Sequence, residues 1–504
     1  MVALPEWPSS SQGRASRISK SGRKERGMNK GGKALLGALL AASALTAPQA
    51  AMAKATTSIE ARLERLEAEM SGLRRDLDVS KIENEALKVR AERAETRALA
   101  AEAEAQENGK RLAVVEARPA VAPAPTPQAD GFKSGATTIK LGGYVKLLAG
   151  TTRFGNGELA TNALGRDFYL PQQIPTGTAP ASRITEFTAK QSRFWLNFGT
   201  DVAGHAVKAY LETDFQTAPG TQGSQRTTNG YNLALRRAYL QVDRWTFGED
   251  WSTFQFTGAL PESTDYVGGA EGTVFVRQPL VRYSAPLGKG MTLHLGIENP
   301  ESGTATSGSP TLIENGDDHL PDFTARLVHS GKSGELSLAG VFRQIRTETG
   351  AVSADASGYG ASLGGKLFLN SARTGDVRFM LTYGRNIGRY VGLNFAPDAV
   401  YVPASNTLAN VDVLAAIGAV RVPLAPRLRA NLMGSYQSVS YDGSLSPADI
   451  ATFNKSAWSA AANLFYSPVD SVDVGIEYRH GARKLVNGAD GSTDRLEAAF
   501  KYSF

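Results

Sequence analysis

The feature that most constrains this chain is an alternation of apolar and polar residues, which runs from residue 131 to the carboxyl terminus. In the last segment, Arg495, Glu497 and Lys501 occupy one face of an extended strand. The other face carries Leu496, Ala498, Phe500, Tyr502 and Phe504. A period of two residues is that of a β-strand. A soluble sandwich would turn the polar face outward, whereas a membrane barrel turns the apolar face to lipid and the polar face to water.

Two properties of these segments favour the membrane barrel. They run for about ten residues or more, which is longer than most strands of soluble sheets. Their apolar faces often end in Tyr, Phe or Trp, as expected of the aromatic girdles at the two membrane interfaces. The chain also ends in an aromatic strand, and this ending resembles the outer-membrane assembly signal that the barrel-assembly machinery recognises. Its residues would be Tyr502 and Phe504.

The alternating segments can be counted as sixteen strands, separated by seven short turns and eight longer loops. An even number of strands in this order predicts a closed antiparallel barrel whose two ends lie on the periplasmic side. A barrel of this size encloses water, so its function depends on what narrows and charges the lumen. The predicted strands cover residues 137–154, 184–200, 204–216, 231–243, 244–254, 274–285, 291–299, 321–330, 334–346, 357–369, 375–390, 410–423, 427–441, 455–467, 471–485 and 492–504.

The amino-terminal segment predicts a secretory signal. Met28 and Lys30 open a basic stretch, an apolar run follows from Ala34 to Ala47, and Ala51-Met52-Ala53 has the pattern of a cleavage site. A membrane anchor is the alternative, but the run is shorter than the ~20 residues that a spanning helix needs. We therefore expect residues 1–53 to be upstream sequence and a signal peptide, with the true start at Met28.

The net charge of +6 lies entirely in this amino-terminal segment. Residues 1–53 hold eight Lys and Arg and two Asp and Glu, so 47 basic and 47 acidic residues remain from totals of 55 and 49. The mature chain is therefore formally neutral, which argues against a nucleic-acid partner. The chain has no cysteine, which excludes a disulfide framework and a thiolate metal site. We expect no cofactor.

Residues 54–117 predict a periplasmic α-helical coiled coil, because the spacing between apolar positions alternates between four and three residues. A solitary charged helix is the alternative, but so narrow an apolar stripe needs a partner, which favours self-association. Asn84 falls at an a position, where a buried polar residue can fix the oligomer state. The Pro- and Ala-rich residues 118–130 predict a semi-rigid linker to the barrel of residues 131–504. The seam consists of Leu63, Leu66, Met70, Leu73, Leu77, Asn84 and Leu87.

The third long loop, residues 255–273, is the expected constriction of the lumen, by analogy with sixteen-stranded porins. Its carboxylates Glu262, Asp265 and Glu271 would then face basic residues on the wall. Arg277 and Arg282 follow the loop, and their odd separation prevents a regular strand from turning both inward, unless Pro279 marks a bulge. By parity, the inward basic residues are Lys140, Lys146, Arg193, Lys208, Arg237, Arg427, Arg429 and Arg479.

Facing rows of arginines and carboxylates would create a field across the lumen. Such a field favours polar solutes that can orient in it, and a surplus of arginine favours anions. The alternative for each single arginine is an interior salt bridge that only stiffens the wall.

Motifs for catalysis are weak. Gly331-Lys332-Ser333 resembles the end of a phosphate-binding loop, but Arg326 stands where that motif needs glycine, so a tight turn is the better interpretation. The five histidines are scattered and show no paired spacing for a metal. His294 is expected on the lumen face, without a serine partner recognisable in the sequence. We therefore expect no enzyme activity.

Six segments in the first half of the barrel carry a family resemblance: KLGGYVK (140–146), QSR (191–193), LRRAY (235–239), WSTF (251–254), LPE (260–262) and RQPLVRY (277–283). With these segments the chain resembles the DcaP-like family of outer-membrane porins. This resemblance implies a trimeric, sixteen-stranded diffusion channel that prefers small anionic organic acids, and a stalk that forms a periplasmic trimeric coiled coil. The chain departs from the family at Glu249-Asp250, where a Gly-Gln or similar uncharged pair is expected, and this adds negative charge near the constriction.

The sequence therefore predicts a porin in the outer membrane of a Gram-negative bacterium, with its stalk in the periplasm. Its expected partners are two further copies of itself, outer-membrane lipid and small anionic solutes, favouring (di)carboxylates. The alternative function is an envelope tether, whose coiled coil links the outer membrane to the cell wall. The candidate pore residues are Arg193, Lys208, Arg237, Arg277, Arg282, Glu262, Asp265 and Glu271.

Overall fold

A computed structural model describes residues 70, 88, 131–216, 230–314, 316–350 and 352–504. The chain divides into two compact units, Met1–Ala122 and Pro123–Phe504. The predicted signal peptide, coiled coil and linker lie outside the described residues, apart from Met70 of the seam and Lys88, which have helical backbone and exposed side chains. The fold below is that of the second unit.

The second unit is a closed antiparallel β-barrel. Its first and last long strands, β2 and β21, pair from Tyr144↔Ser503 to Phe154↔Thr493 and close the ring. The strands are β1 Phe132–Ser134, β2 Thr137–Phe154, β3 Ser182–Thr188, β4 Arg193–Val202, β5 His205–Asp214, β6 Ala234–Val242, β7 Trp245–Trp251, β8 Arg277–Gly288, β9 Met291–Glu298, β10 Gly303–Thr306, β11 Ser309–Glu314, β12 Asp322–Gly331, β13 Gly334–Thr349, β14 Val352–Phe368, β15 Asp376–Arg385, β16 Ala399–Val402, β17 Thr407–Ala425, β18 Leu428–Tyr441, β19 Asn454–Val469, β20 Val472–Leu485 and β21 Asp490–Ser503.

Sixteen of these segments act as barrel strands, as the alternation predicts. Of the 21 strands, β1, β10, β11 and β16 are short segments that are not counted among the barrel strands. Strands β3 and β4 count as one barrel strand because both pair with β2. The observed ends agree with most predicted ends within a few residues. The largest differences are at β14, which begins at Val352, and β15, which ends at Arg385. The short strands β10, β11 and β16 lie inside predicted loops.

The two faces of the wall differ as the period of two requires. On β18, Leu432 is 58% exposed, whereas its neighbours Asn431 and Met433 are buried. The apolar outer positions therefore face the membrane, and the polar inner positions face the lumen. The described residues include one helical turn, Leu164–Asp167, and short 3₁₀ turns at Pro171–Gln173, Thr257–Ala259 and Gly388–Tyr390. No described helix is long and apolar enough to cross a membrane.

The apolar core lies inside the ring, where three loops pack against the wall and each other. We call them L1 (residues 155–181), L3 (252–276) and L6 (386–406). Phe254 of L3 packs with Tyr390 of L6, and their ring centroids are 5.6 Å apart. Tyr169 of L1 packs in a second cluster with Val267 of L3. Full burial of such a side chain stabilises the fold by about 1.5–3 kcal/mol, so the loops form part of the folded channel.

Candidate functional site

Loop L3 leaves the wall after β7, enters the lumen and returns at β8. Its second half lies directly on β17, because a Cβ on Gly272 would collide with the carbonyl oxygen of Ala416. The amide of Gly272 also donates to Ser435 Oγ on β18 at 2.7 Å. Residues 260–263 and Tyr266 stay partly exposed. These residues of L3 therefore border the open part of the lumen.

Two of the predicted loop carboxylates are buried and anchor L3. The hydroxyl of Tyr169 donates to Glu271 Oε1 at 2.6 Å, and Ser459 Oγ donates to Glu271 Oε2 at 2.9 Å. Burial raises the pKa of Glu271, although these hydrogen bonds oppose the shift. Asp265 accepts the amides of Tyr169 and Val267 at 2.7 and 3.0 Å. Both side chains hold L3 against L1, and neither lies on the exposed side of the loop.

The third carboxylate, Glu262, lies at the exposed tip of L3. Arg429 Nε on β18 donates to Glu262 Oε2 at 2.8 Å, and Arg421 on β17 lies 3.9 Å from the same carboxylate. Burial opposes ionisation of Glu262, but hydrogen bonding and charge from Arg429 outweigh it, so the pKa of Glu262 lies below its ordinary value of 4.5. Glu262 is therefore the carboxylate that faces wall arginines as predicted.

The inward lysine Lys146 on β2 also holds the loop. Its Nζ donates to the carbonyl oxygen of Thr264 and to Gln191 Oε1, both at 2.6 Å. The hydroxyl of Thr264 donates to Glu497 Oε2 at 2.9 Å, and its amide donates to Glu477 Oε2 at 3.1 Å. L3 is thus tied to β2, β20 and β21, in addition to its contacts with β17 and β18.

The wall formed by β4 to β8 carries alternating charges. Asp214 Oδ2 lies 3.2 Å from Arg193 Nη2, and Asp250 Oδ1 lies 2.6 Å from Arg237 Nε. Arg282 Nη2 lies 2.5 Å from the other oxygen of Asp250. The side chains of Arg193, Arg237 and Arg282 are 19%, 21% and 13% exposed, whereas that of Arg343 on β13 is fully buried. These three arginines can therefore act on solutes in the lumen.

A bulge on β6 adds an arginine that parity did not predict. Glu212 pairs with Arg237 and Thr213 pairs with Leu235, so Arg236 is the extra residue. Its guanidinium turns inward and donates to Glu212 Oε1 and Asp214 Oδ2, both at 2.7 Å. Tyr266 of L3 also contacts Arg236. Arg236 therefore connects the wall to the loop.

The predicted bulge at Pro279 is absent, because Pro279 pairs in regular register with Glu249. Arg282 accordingly points inward, and Arg277 has the opposite parity. Arg277 lies at the first position of β8, where its Nη1 donates to the carbonyl oxygen of Arg236 at 3.0 Å and its guanidinium lies over the ring of Trp251. Arg277 therefore lies at the end of the wall where L3 rejoins it.

Arg326 on β12 is an inward residue that is not among the predicted pore residues. It lies opposite His294 on β9 and donates to the carbonyl oxygen of Gln255, near the start of L3. No ion pair between described residues includes Arg326 or Arg277. The alternation Asp322, Thr324, Arg326 marks the polar face of this strand and could have identified it.

The other predicted inward residues have varied surroundings. Arg479 is buried beneath L1, with its guanidinium 5.0 Å from the centroid of the Tyr169 ring. Lys208 and Lys140 share the inward parity of their strands and are exposed. Arg427 was placed on the wall incorrectly, because it lies in the turn before β18, with a φ of 68°.

The predicted assembly residues lie on the outer surface where the barrel closes. Tyr502 and Phe504 are 47% and 46% exposed. The backbone amide and carbonyl of Phe504 both pair with Gly143, at 3.0 and 3.1 Å. Their role in assembly stays a prediction.

The described residues contain no cluster of His, Asp and Glu that could hold a metal ion. His294 does have a serine partner, since Ser284 Oγ lies 2.9 Å from its Nδ1 across β8 and β9. Its cross-strand neighbour on the other side is Arg326 rather than an orienting carboxylate. The arrangement therefore favours binding of polar solutes over nucleophilic catalysis.

Comparison with known proteins gives matches over the barrel. A family model described as DcaP outer membrane protein matches residues 160–504. The chain is similar to the outer membrane channel DcaP of Acinetobacter baumannii, with 26% identity, a TM-score of 0.62 and coverage of 74% of this chain and 100% of that one. It is also similar to OmpT, an outer membrane protein of Vibrio cholerae, with 12% identity, a TM-score of 0.46 and coverage of 75% and 100%. No curated protein matches the sequence.

Proposed function

Because the chain belongs to the DcaP outer membrane protein family, we propose that its barrel is a diffusion channel that favours small anionic solutes, carboxylates above all. Family and fold show an outer-membrane porin in a Gram-negative bacterium. The preference for anions goes beyond what family and fold show, and it is the subject of this proposal.

The observation that carries this proposal is the pair of unbalanced arginines beside L3. Arg277 and Arg326 donate to backbone carbonyl groups, and no described carboxylate lies within 4.0 Å of either guanidinium. Arg282, between them along the wall, shares Asp250 with Arg237. Glu298 on β9 also has no ion-pair partner among the described residues, but it is buried and accepts from the amide of Thr253 and the hydroxyl of Thr324, both at 2.7 Å. The excess of positive charge beside the loop therefore lies on the partly exposed guanidinium groups.

The acidic pair Glu249-Asp250 does not reverse this balance. Asp250 points inward and is bound by two arginines, Arg237 and Arg282. Glu249 has the opposite parity and lies on the outer face of β7. The tip of L3 also adds little free negative charge, since Glu262 is held by Arg429.

These contacts suggest how a carboxylate would pass. The anion would exchange water for the partly exposed guanidinium groups of Arg193, Arg237 and Arg282 in turn. Charge-assisted hydrogen bonds to arginine are strong and can be bidentate. Since each guanidinium already has a partner in the wall, no single site would hold the solute tightly, which suits diffusion.

The test is the reversal potential of the purified porin in planar bilayers under a salt gradient, together with liposome swelling in neutral sugars, mono-carboxylates and di-carboxylates. We expect anion preference in the wild type and a reduced preference in Arg326→Gln. Lys332→Gln is a matched control, because this lysine lies in the turn between β12 and β13. A wild type that prefers cations, or an Arg326→Gln channel with unchanged selectivity, would overturn the proposal.

Three further expectations concern assembly and the stalk. We expect a homotrimer, which heat should convert to monomers on a gel. We expect the barrel-assembly machinery to require the carboxyl-terminal residues Tyr502 and Phe504.

The alternative function is an envelope tether, and deletion of residues 54–130 distinguishes it from the channel function. Unchanged conductance with weakened envelope integrity would support tethering, whereas an intact envelope would count against it.

A further inference from the structure

A single row of paired residues crosses the outer face of seven neighbouring strands, from the middle of β17 to the loop end of β3. It begins with small residues and ends with charged ones. Because strands are tilted in a barrel, such a row runs obliquely from the membrane interior toward its surface. The row consists of Gly418, Gly434, Ala460, His480, Asp494, Arg153 and Arg183.

The small residues form the floor of an apolar groove of about 530 Å³ on β17 to β20. Its outward side chains include Leu432 and Tyr478, which are 58% and 50% exposed and stand higher than Gly434 and Ala460 between them. The groove opens to the membrane, since these positions alternate with inward Asn431 and Glu477.

At the other end of the row two arginines lie directly opposite each other. Arg153 pairs with Arg183 across β2 and β3, and both are exposed on the outer face. Like charges in such a position destabilise a sheet. Asp494 lies 3.6 Å from Arg153, but its Oδ1 already accepts from Tyr478 and His480, both at 2.8 Å. No ion pair between described residues includes Arg183. The pair therefore has excess positive charge.

The charged end of the row lies at the level of the membrane surface. The ring centroids of Trp458 and His480 are 5.4 Å apart, and the cross-strand neighbour of Trp458 on β18 is Tyr436. Exposed aromatic residues of this kind form the interfacial girdle of a barrel, next to the lipid headgroups. An arginine pair just beyond the girdle is therefore at the depth of lipid phosphates.

We propose that this outer face binds a phosphate-bearing membrane lipid, with its phosphate between Arg153 and Arg183 and one acyl chain in the groove. Ala460 on β19 and Arg153 on β2 are three strand spacings apart, which is about 14 Å. One lipid can therefore reach both the groove and the arginine pair. A flexible chain fills a narrow concave groove, whereas the convex wall of a second copy would bridge it.

The absence of cysteine allows a clean measurement, because Ala460→Cys can be labelled alone with a fluorophore. The full chain is placed in phosphatidylcholine nanodiscs and titrated with brominated phosphatidic acid or brominated phosphatidylcholine. We expect phosphatidic acid to quench the label at a several-fold lower mole fraction. Arg153→Gln combined with Arg183→Gln should abolish that preference. Arg385→Gln should keep it, because Arg385 lies on the outer face but is paired with Asp412 at 2.7 Å.

A second variant tests the groove without altering the charges. Gly434→Leu should fill the floor and weaken quenching by both lipids, and heat-modifiable migration on a gel checks that each variant is folded. Equal quenching by the two lipids in the wild type would overturn the proposal, as would a preference that survives the double arginine substitution. Efficient disulfide crosslinking of two copies of the Ala460→Cys variant, with no quenching by either lipid, would make the groove a protein interface instead.

Discussion

Arg429 on β18 donates from Nε to Glu262 Oε2 at 2.8 Å, and this contact joins the tip of L3 to the wall across 167 residues of sequence. The same arginine lies 2.9 Å from Asp473 on β20. One cation thus neutralises the exposed carboxylate of the loop and fixes its position. The charge that a solute meets on this side of the lumen is therefore set by Arg429 and Glu262 together.

The first prediction concerns the charge of Glu262. Glu262→Gln should increase the preference for anions, because Asp473 is then the only carboxylate that still pairs with Arg429. The measurement is the reversal potential under a salt gradient at neutral pH. Glu348→Gln removes the same charge from the exposed end of β13 and should leave the potential unchanged. A shift toward cations in Glu262→Gln would contradict the prediction.

The second prediction is that the difference in selectivity between the wild type and Glu262→Gln depends on pH. The pKa of Glu262 lies below its ordinary value of 4.5, so the carboxylate stays ionised from neutral pH to that value and protonates only at lower pH. The selectivity of the wild type should therefore differ from that of Glu262→Gln at neutral and mildly acidic pH. The two should converge only below pH 4.5. Convergence near neutral pH would show that Glu262 is not held by Arg429.

Alternation predicted the faces of the wall well, because inward and outward positions follow from a period of two alone. Lys146, Arg193 and Arg429 were assigned to the lumen side on parity, and all three lie there. Parity fails where the register changes. The bulge on β6 turns Arg236 inward beside Arg237, and no residue type in LRRAY marks the extra position.

The partners of the loop residues could not be predicted from the sequence. Tyr169 and Glu271 are 102 positions apart, and the tyrosine lies in a loop without alternation. In the sequence, Glu262, Asp265 and Glu271 are equivalent carboxylates of one loop, but in the structure their burial differs. Only tertiary packing decides which carboxylate of a glycine-rich loop faces water and which anchors the backbone.

The third prediction concerns this buried anchor. Tyr169→Phe leaves Glu271 with one donor fewer, and an unsatisfied buried polar group costs about 1–3 kcal/mol. Burial already raises the pKa of Glu271. A carboxyl group whose pKa is higher in the folded than in the unfolded state makes the fold less stable once it ionises. The free energy of unfolding should therefore fall as the pH rises from 4.5, the ordinary pKa of the carboxyl group, through the raised pKa of Glu271.

The loss in Tyr169→Phe should therefore be larger at neutral than at acidic pH. It is measured as the temperature at which the barrel loses its folded migration on a gel, and open-channel current noise should increase as L3 loosens. Tyr401→Phe is the control, because its hydroxyl bonds Asn406 at an exposed site. A loss that is equal at both pH values would indicate that Glu271 is already protonated.

The fourth prediction concerns the buried arginine of the bulge. Arg236→Met should destabilise the barrel by about 3–5 kcal/mol, because it leaves Glu212 and Asp214 without their closest cation. Arg193→Met should cost less, since Arg193 lies 3.6 and 3.2 Å from these carboxylates and is more exposed. Urea unfolding in detergent, followed by tryptophan fluorescence, measures both.

Restoring neutrality separates charge from packing in that experiment. Arg236→Met combined with Glu212→Gln and Asp214→Asn should recover much of the lost stability, because the buried carboxylates that lacked a partner are gone. The triple variant should also hold L3 less firmly, since Tyr266 loses its contacts with Arg236 and with the Asp214 carboxylate. If the triple variant is as unstable as Arg236→Met alone, the guanidinium acts mainly by filling space at the bulge.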